Sequence, residues 1–148
     1  MQKAIIVDID GTLSDNTHRL HMFNDNIKDW TEINERSRYD LPVLWCQDMV
    51  HMYAKEGYKI LFVTGREARA EAVTREWLTR YISPSVDYVL MMRGLTDTRP
   101  DFIVKHEIYL RDIAPFYEVA FCLEDRDSVT HMWRSIGLTC LQVKDSTY

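Results

Sequence analysis

The chain is poor in several residue types, and each shortage narrows what it can be. Cysteine occurs three times in 148 residues, at Cys46, Cys122 and Cys140, too few and too scattered for a disulfide framework or a cysteine-built zinc site. That leaves a reducing, cytoplasmic setting as the expectation. Glycine (5) and proline (4) are sparse, and they gather into no linker or low-complexity tract. No apolar run approaches the roughly 18 residues of a membrane span, and Met1-Gln2-Lys3 leads straight into a strand-like run, so neither a membrane protein nor a cleaved secretory signal is expected. Positive charge is also short: Lys+Arg 18 against Asp+Glu 23, net -5. A protein that grips long nucleic acid without regard to sequence needs a basic face to neutralise phosphates. No extended nucleic-acid groove is therefore expected, and any such contact should be confined to an end or a single nucleotide. Within that scarcity arginine outnumbers lysine two to one, and arginine is the better bidentate phosphate binder.

What is present is a globular composition, 46% hydrophobic and 28% charged, in a length that buries about 68–70% of its unfolded surface without staples. Short apolar runs alternate with amphipathic stretches. Lys3–Asp8, Lys59–Val63, Asp87–Met91, Val119–Leu123 and Thr139–Val143 read as strands. They are continuously apolar, as in a parallel sheet covered on both faces. Leu41–Lys55, Glu67–Tyr81, Pro100–Ile113 and Asp127–Ile136 read as helices, with Gly57 and Gly137 as stop signals. Repeated strand and helix predicts an α/β fold of one domain over residues 1–148. One segment breaks the rhythm: residues 15–40 are polar with scattered aromatics and too long for an ordinary loop. They predict an insertion of short helices lying over the carboxyl ends of the strands.

Ligands of open α/β sheets bind at those carboxyl ends, where this chain concentrates its reactive groups. The first strand runs into Asp8-Ile9-Asp10-Gly11-Thr12, the second into Thr64-Gly65-Arg66 and the fourth into Glu124-Asp125, while Lys105 lies in the helix before the fourth. Paired acids, a hydroxyl and cations on one edge suit the joint holding of Mg²⁺ and a phosphate. The simpler readings are a strand-end turn for Asp8 and Asp10, a helix cap for Thr64 or Glu124-Asp125, and a solvated Lys105 paired with Asp101 at i,i+4. Trp77 and Trp133 read as core, the five histidines as surface or packing residues, and Trp30 as the better stacking candidate.

All four segments, in order, resemble the motifs of the haloacid dehalogenase (HAD) superfamily of phosphatases. Asp97-Thr98-Arg99, Val104-Lys105, Ile113-Ala114-Pro115, Asp125-Arg126, Met132-Trp133-Arg134 and Ile136-Gly137 sharpen this to a resemblance to the 3′-phosphatase domains of bacteriophage polynucleotide kinase–phosphatases. The likeness spans essentially the whole chain and is loosest over 17–40. Two departures stand out: Glu124 replaces an aspartate, and no G-x-x-x-x-G-K-[ST] loop occurs, so no kinase activity is expected.

The resemblance implies a Rossmannoid three-layer sandwich with a central parallel sheet and a small helical cap after the first strand. It implies Asp8 as nucleophile and Asp10 as general acid/base, with phosphate bound by Thr64, Lys105, Arg66 and Arg19. Mg²⁺ would be held by Asp8, Asp10 through its carbonyl, Asp125 and Glu124. The reaction expected is removal of a 3′-phosphate from polynucleotide ends or nucleotides through an aspartyl-phosphate. Two alternatives stay open, a 5′-nucleotidase acting on (deoxy)nucleoside monophosphates and a non-catalytic phosphate-binding module. A homodimer is neither required nor excluded by the sequence.

Overall fold

The computed structural model describes residues 1–24, 26 and 28–146. Positions 25 and 27 of the expected insertion, and the last two residues, lie outside the described set. Five parallel strands form the sheet in the order β5-β4-β1-β6-β7. They are β1 (Gln2–Val7), β4 (Lys59–Glu67), β5 (Tyr88–Arg93), β6 (Tyr117–Glu124) and β7 (Cys140–Gln142). The chain builds outward from β1 in one direction, returns, and builds outward in the other. β1 therefore stands at the point where strand order reverses, and a crevice opens beyond its carboxyl end.

Alternation along the buried strands divides the core in two. Ile5 and Val7 of β1, with Ile60 and Phe62 of β4, face α2 (Leu44–Lys55) and α3 (Glu71–Tyr81) through Val50, Trp77 and Leu78. Ala4, Ile6, Leu61 and Val63 face the other way, onto Val104 and Ile108 of α4 (Asp101–Ile108) and onto Val129 and Trp133 of α5 (Asp127–Ser135). The result is helix, sheet, helix: the three-layer α/β architecture expected of the sequence. Trp77 and Trp133 are core, also as expected. No helix among the described residues is long and apolar enough to cross a membrane.

Several boundaries differ from expectation. β4 continues through Thr64-Gly65-Arg66 to Glu67, so the second motif lies inside an extended strand and α3 begins at Glu71 rather than Glu67. Leu41 does not open a helix. Leu41–Pro42 form β3, paired antiparallel with β2 (Ser14–Asp15), and α2 starts at Leu44. The residue before a proline disfavours helical geometry, which accounts for the late start. The helix expected from Pro100 to Ile113 is α-helical only to Ile108, and a π turn carries it to Ile113, ahead of Pro115.

The β2–β3 pair closes the neck of the insertion. Within it lie a 3₁₀ turn over Thr17–Asn24 and α1 (Trp30–Arg36), whose first turn is capped by Asp29 accepting from the Glu32 amide at 3.1 Å. The insertion is anchored to the body where the Trp77 indole of α3 donates 2.8 Å to the Asp40 carbonyl. Replacing Trp77 with Phe keeps an aromatic ring and orphans that buried carbonyl. Urea unfolding is expected to show a loss of about 1–3 kcal/mol; a neutral result would mean that the anchor carries no stability.

Candidate functional site

The carboxyl ends of β1, β4 and β6 meet at a cavity of about 610 Å³, lined among others by Asp8, Asp10, Gly65, Arg66, Glu124 and Asp125. Asp8 follows the last residue of β1, and its amide donates 3.0 Å to the Leu123 carbonyl of β6, so the two strand ends are locked side by side. Gly11, at φ 80, lets the chain turn back beneath Asp10. Thr12 Oγ1 donates to Asp8 Oδ2 at 3.1 Å and lies 3.4 Å from Asp125 Oδ1.

Lys105 reaches this edge from α4. Its buried ammonium donates to Asp8 Oδ1 at 2.8 Å and to Glu124 Oε2 at 2.9 Å. Lys105 is thus neither solvated nor bonded to Asp101. Burial, and then the charge of Glu124, push the Asp8 carboxyl well above its ordinary 3.8 despite the lysine. Burial raises Glu124 as well. Burial works against the Lys105 ammonium, but Asp8 and Glu124 overcome it and hold the proton firmly. Oxygen atoms of Asp8, Glu124 and Asp125 lie within 4.8 Å of one another. Two of these three buried carboxylates share the Lys105 ammonium, and oxygen donors of this kind suit a hard divalent ion. Glu124 Oε1 also accepts from the Arg126 amide at 3.2 Å.

Asp10 stands apart from that cluster. Arg66 forks onto it, Nε to Oδ2 at 3.0 Å and Nη2 to Oδ1 at 2.7 Å, and Arg19 Nη2 bonds Oδ1 as well. Burial opposes its charge, but Arg66 and Arg19 overcome this and hold the carboxyl far below the usual range. Arg19 in turn grips Asp40, Nε to Oδ1 at 2.8 Å and Nη2 to Oδ2 at 2.6 Å, and His18 Nε2 lies 2.7 Å from the same Oδ1. The two arginines expected to bind phosphate therefore line the cavity with their guanidinium groups on Asp10. Thr64 is fully buried near the end of β4, and its hydroxyl accepts from the Arg66 amide at 3.1 Å.

Sequence reasoning missed Asp40, Arg93 and Asp101. Asp40 looked like the tail of a variable insertion, and its burial beneath Arg19 has no local signature. Arg93, at the end of β5, donates to the Gly65 carbonyl at 2.8 Å and to the Asp97 carbonyl at 3.1 Å, and also bonds Asp101, to which Arg126 adds a contact at 3.1 Å. Gly65 could have signalled the crowding, because a Cβ there would meet Asp101 Oδ1 at 2.5 Å. Trp30 and Phe23 of the insertion also line the cavity, edge to face at 6.1 Å, with the Lys28 ammonium 6.0 Å over the Trp30 ring. The expected stacking candidate is thus at the cavity wall.

The family model for the polynucleotide kinase PNKP phosphatase domain matches residues 2–148. A chain described as a bifunctional polynucleotide kinase/RNA ligase, from Autographa californica nuclear polyhedrosis virus, is 28% identical over 136 residues, 92% of this chain and 18% of its own length. A chain solved in a Pnkp1/Rnl/Hen1 complex is 34% identical with TM-score 0.84, covering all of this chain and 48% of that one. The Class C acid phosphatase of Bacillus anthracis shares the fold, with TM-score 0.65 at 15% identity over 86% of this chain and 53% of its own. The chain therefore spans less than half the length of the first two relatives.

Removing the shared cation is the sharpest probe of the buried cluster. Lys105→Met leaves Asp8 and Glu124 without their partner, and a loss of about 3–5 kcal/mol in chemical denaturation is expected. A variant as stable as the parent would mean that the carboxylates have protonated or found another partner.

Proposed function

Because the chain belongs to the polynucleotide kinase PNKP phosphatase-domain family, of HAD type, we propose that it removes 3′-phosphates from polynucleotide ends or nucleotides through an aspartyl-phosphate. The observation that carries this reading is the position of Asp8: a buried carboxylate at the switch point of the sheet, facing the cavity and fixed by Thr12 and Lys105. Its Oδ attacks phosphorus in line, the P–O bond to the sugar breaks, and Asp10 delivers a proton to the departing oxygen. Water then attacks the acyl phosphate, Asp10 takes its proton, and inorganic phosphate leaves. Lys105 holds Asp8 and limits its repulsion from Glu124. Mg²⁺ held by Asp8, Asp125, Glu124 and the Asp10 carbonyl would offset charge on the phosphoryl oxygens.

Asp10 must be protonated to serve as the acid, yet the two arginines hold it ionised. A phosphate dianion in the cavity competes for those guanidinium groups. As Arg66 and Arg19 turn to it, Asp10 loses their charge and its pKa rises. On this account the arginines are phosphate ligands that rest on Asp10 between turnovers, and the proton donor is armed by substrate. Seven cationic side chains, Arg19, Lys28, Arg66, Arg69, Arg93, Arg99 and Arg126, line the cavity. Seven acids, Asp8, Asp10, Glu67, Asp97, Asp101, Glu124 and Asp125, line it too, so a bound divalent cation would tip the balance toward an anionic end. The partner chemistry is a terminal phosphate with its nearest sugar and base, taken up in the cytoplasm, and the chain acts with or without a second copy.

Asp8→Asn removes the nucleophile and relieves a repulsion, so turnover should vanish while the unfolding midpoint holds or rises. Retained phosphatase activity would refute the aspartyl route. A panel of 3′- and 5′-phosphorylated oligonucleotides, 3′- and 5′-mononucleotides and an aryl phosphate tests the substrate. Activity confined to 5′-mononucleotides would favour a nucleotidase, and none on any compound with any divalent metal would favour a binding module.

Metal binding has a readout of its own. A raised Asp8 pKa means that the folded state takes up a proton the unfolded chain would release, so without metal this group loses stability as pH climbs from about 3.8 through the raised value. A divalent cation binds the ionised form and reverses that trend. Saturating Mg²⁺ should therefore raise the thermal midpoint more at about pH 8 than at about pH 5. No rise at either pH would rule out the acidic cluster as the metal site.

A further inference from the structure

Asn16 is as deeply placed as Asp125, each 1% exposed, and both line the cavity. The other buried polar side chains on that wall, Asp8, Arg19, Ser37, Glu124 and Asp125, all have side-chain hydrogen bonds. Asn16 is the exception: among the described residues neither its Oδ1 nor its Nδ2 has a partner. Native proteins seldom leave both ends of a buried carboxamide unused, and where they do the partner is a water or a ligand.

The place of Asn16 indicates which ligand group. Asp10 forms a bridge to Ser14, and the Gly11 amide donates 2.9 Å to the Ser14 carbonyl. The Arg19 amide donates 3.1 Å to the Asn16 carbonyl, and the Arg19 side chain ends on Asp10. Asn16 is therefore held between the strand that leans on the Asp10 turn and the arginine on the Asp10 carboxylate. In the 3′-phosphatase reading, on which this inference rests, Asp10 serves the sugar O3′. The neighbouring sugar carbon carries the 2′ substituent, which a polar side chain on the same cavity wall as Asp10 can meet. A hydroxyl both donates and accepts, and so does a carboxamide. A deoxyribose presents only carbon and hydrogen, and leaves the carboxamide to water or to nothing.

We propose that Asn16 is a specificity-determining residue that reads the 2′-hydroxyl of the terminal sugar, making this chain a phosphatase of ribonucleotide 3′-ends in preference to deoxyribonucleotide ones. The 2′-hydroxyl is the group by which proteins tell RNA from DNA at a given position. Losing a buried polar partner is a heavier discrimination than losing an apolar contact.

The test compares kcat/KM on two 3′-phosphorylated oligonucleotides that differ only in the last sugar, ribose or 2′-deoxyribose. The wild type should prefer the ribose end by about ten- to a hundred-fold. Asn16→Leu, and Asn16→Ala in case leucine does not fit, should bring the ribose rate down to the deoxyribose rate and leave the latter unchanged. The thermal midpoint should not fall, because no protein hydrogen bond is lost. Equal wild-type rates on the two ends, or a variant that slows both alike, would overturn the role of Asn16 and assign its carboxamide to buried water, with the 3′-phosphatase reading intact. Hydrolysis of an aryl phosphate with no turnover of either oligonucleotide would overturn that reading and this inference together.

Discussion

The ammonium of Lys105, 2.8 Å from Asp8 and 2.9 Å from Glu124, joins the carboxyl ends of β1 and β6 to α4. Two neighbouring parallel strands that both end in buried acids would repel each other there, and Asp125 adds a third carboxylate. Lys105 bonds two of these acids, and burial first, then the charge of Glu124, still raise the Asp8 pKa. A buried pair of this kind contributes little to net stability but is costly to break. The cluster is better understood as a device that keeps one carboxylate oriented and short of positive charge, the condition under which a divalent cation would be welcome and would in turn offset the charge of a phosphoryl group.

A second network sits beside the first and obeys the opposite logic. Around Asp10 and Asp40, cations are plentiful: Arg19, Arg66 and, when protonated, His18 surround two carboxylates. Asp40 belongs to the base of the insertion and Asp10 to the β1 turn, so the cap and the proposed acid share one arginine. Through Trp77 the same aspartate is tied to α3. The placement of the cap and the protonation of Asp10 are thus linked by contact rather than by distance alone. The two neighbouring carboxylates have oppositely displaced pKa values, and without metal or substrate the displacement is the reverse of what a nucleophile and an acid require: burial pushes Asp8 up, while Arg66 and Arg19 hold Asp10 ionised.

The net charge of -5 says little about the cavity, which collects arginines from β4, β5, the insertion and the turn after β6. Several are already paired, as Arg99 is with Asp97 and Glu107 at the exposed rim. An incoming anion meets a wall of partly satisfied guanidinium groups. Such a wall suits a terminal phosphate that can displace weak exposed pairs and does not suit a long backbone track.

Much of this was legible in the residues. Continuous apolar runs at β1, β4 and β6 announce strands covered on both faces, and the acids and hydroxyl that follow them mark the edge where ligands bind, because side-chain periodicity and strand-end position are local properties. Asp8, Asp10, Thr64, Glu124 and Asp125 were singled out that way, and Lys105 from its place in the helix before β6. Two things were not local. Arg19 and Arg66 have the predicted neighbourhood but rest on an aspartate, since pairing depends on which charge is nearest in space. Asp40, Arg93 and Asn16 carry no pattern at all. Their roles arise from burial, and burial of a polar side chain is decided by which segments fold over it. Sequence determined the strands, the order of the layers and the edge at which the chemistry collects, because those follow from hydrophobic periodicity. Only the tertiary structure decided which charges neutralise each other and which carboxamide is left without a partner, because these depend on distances across segments as far apart in the chain as residues 8 and 105.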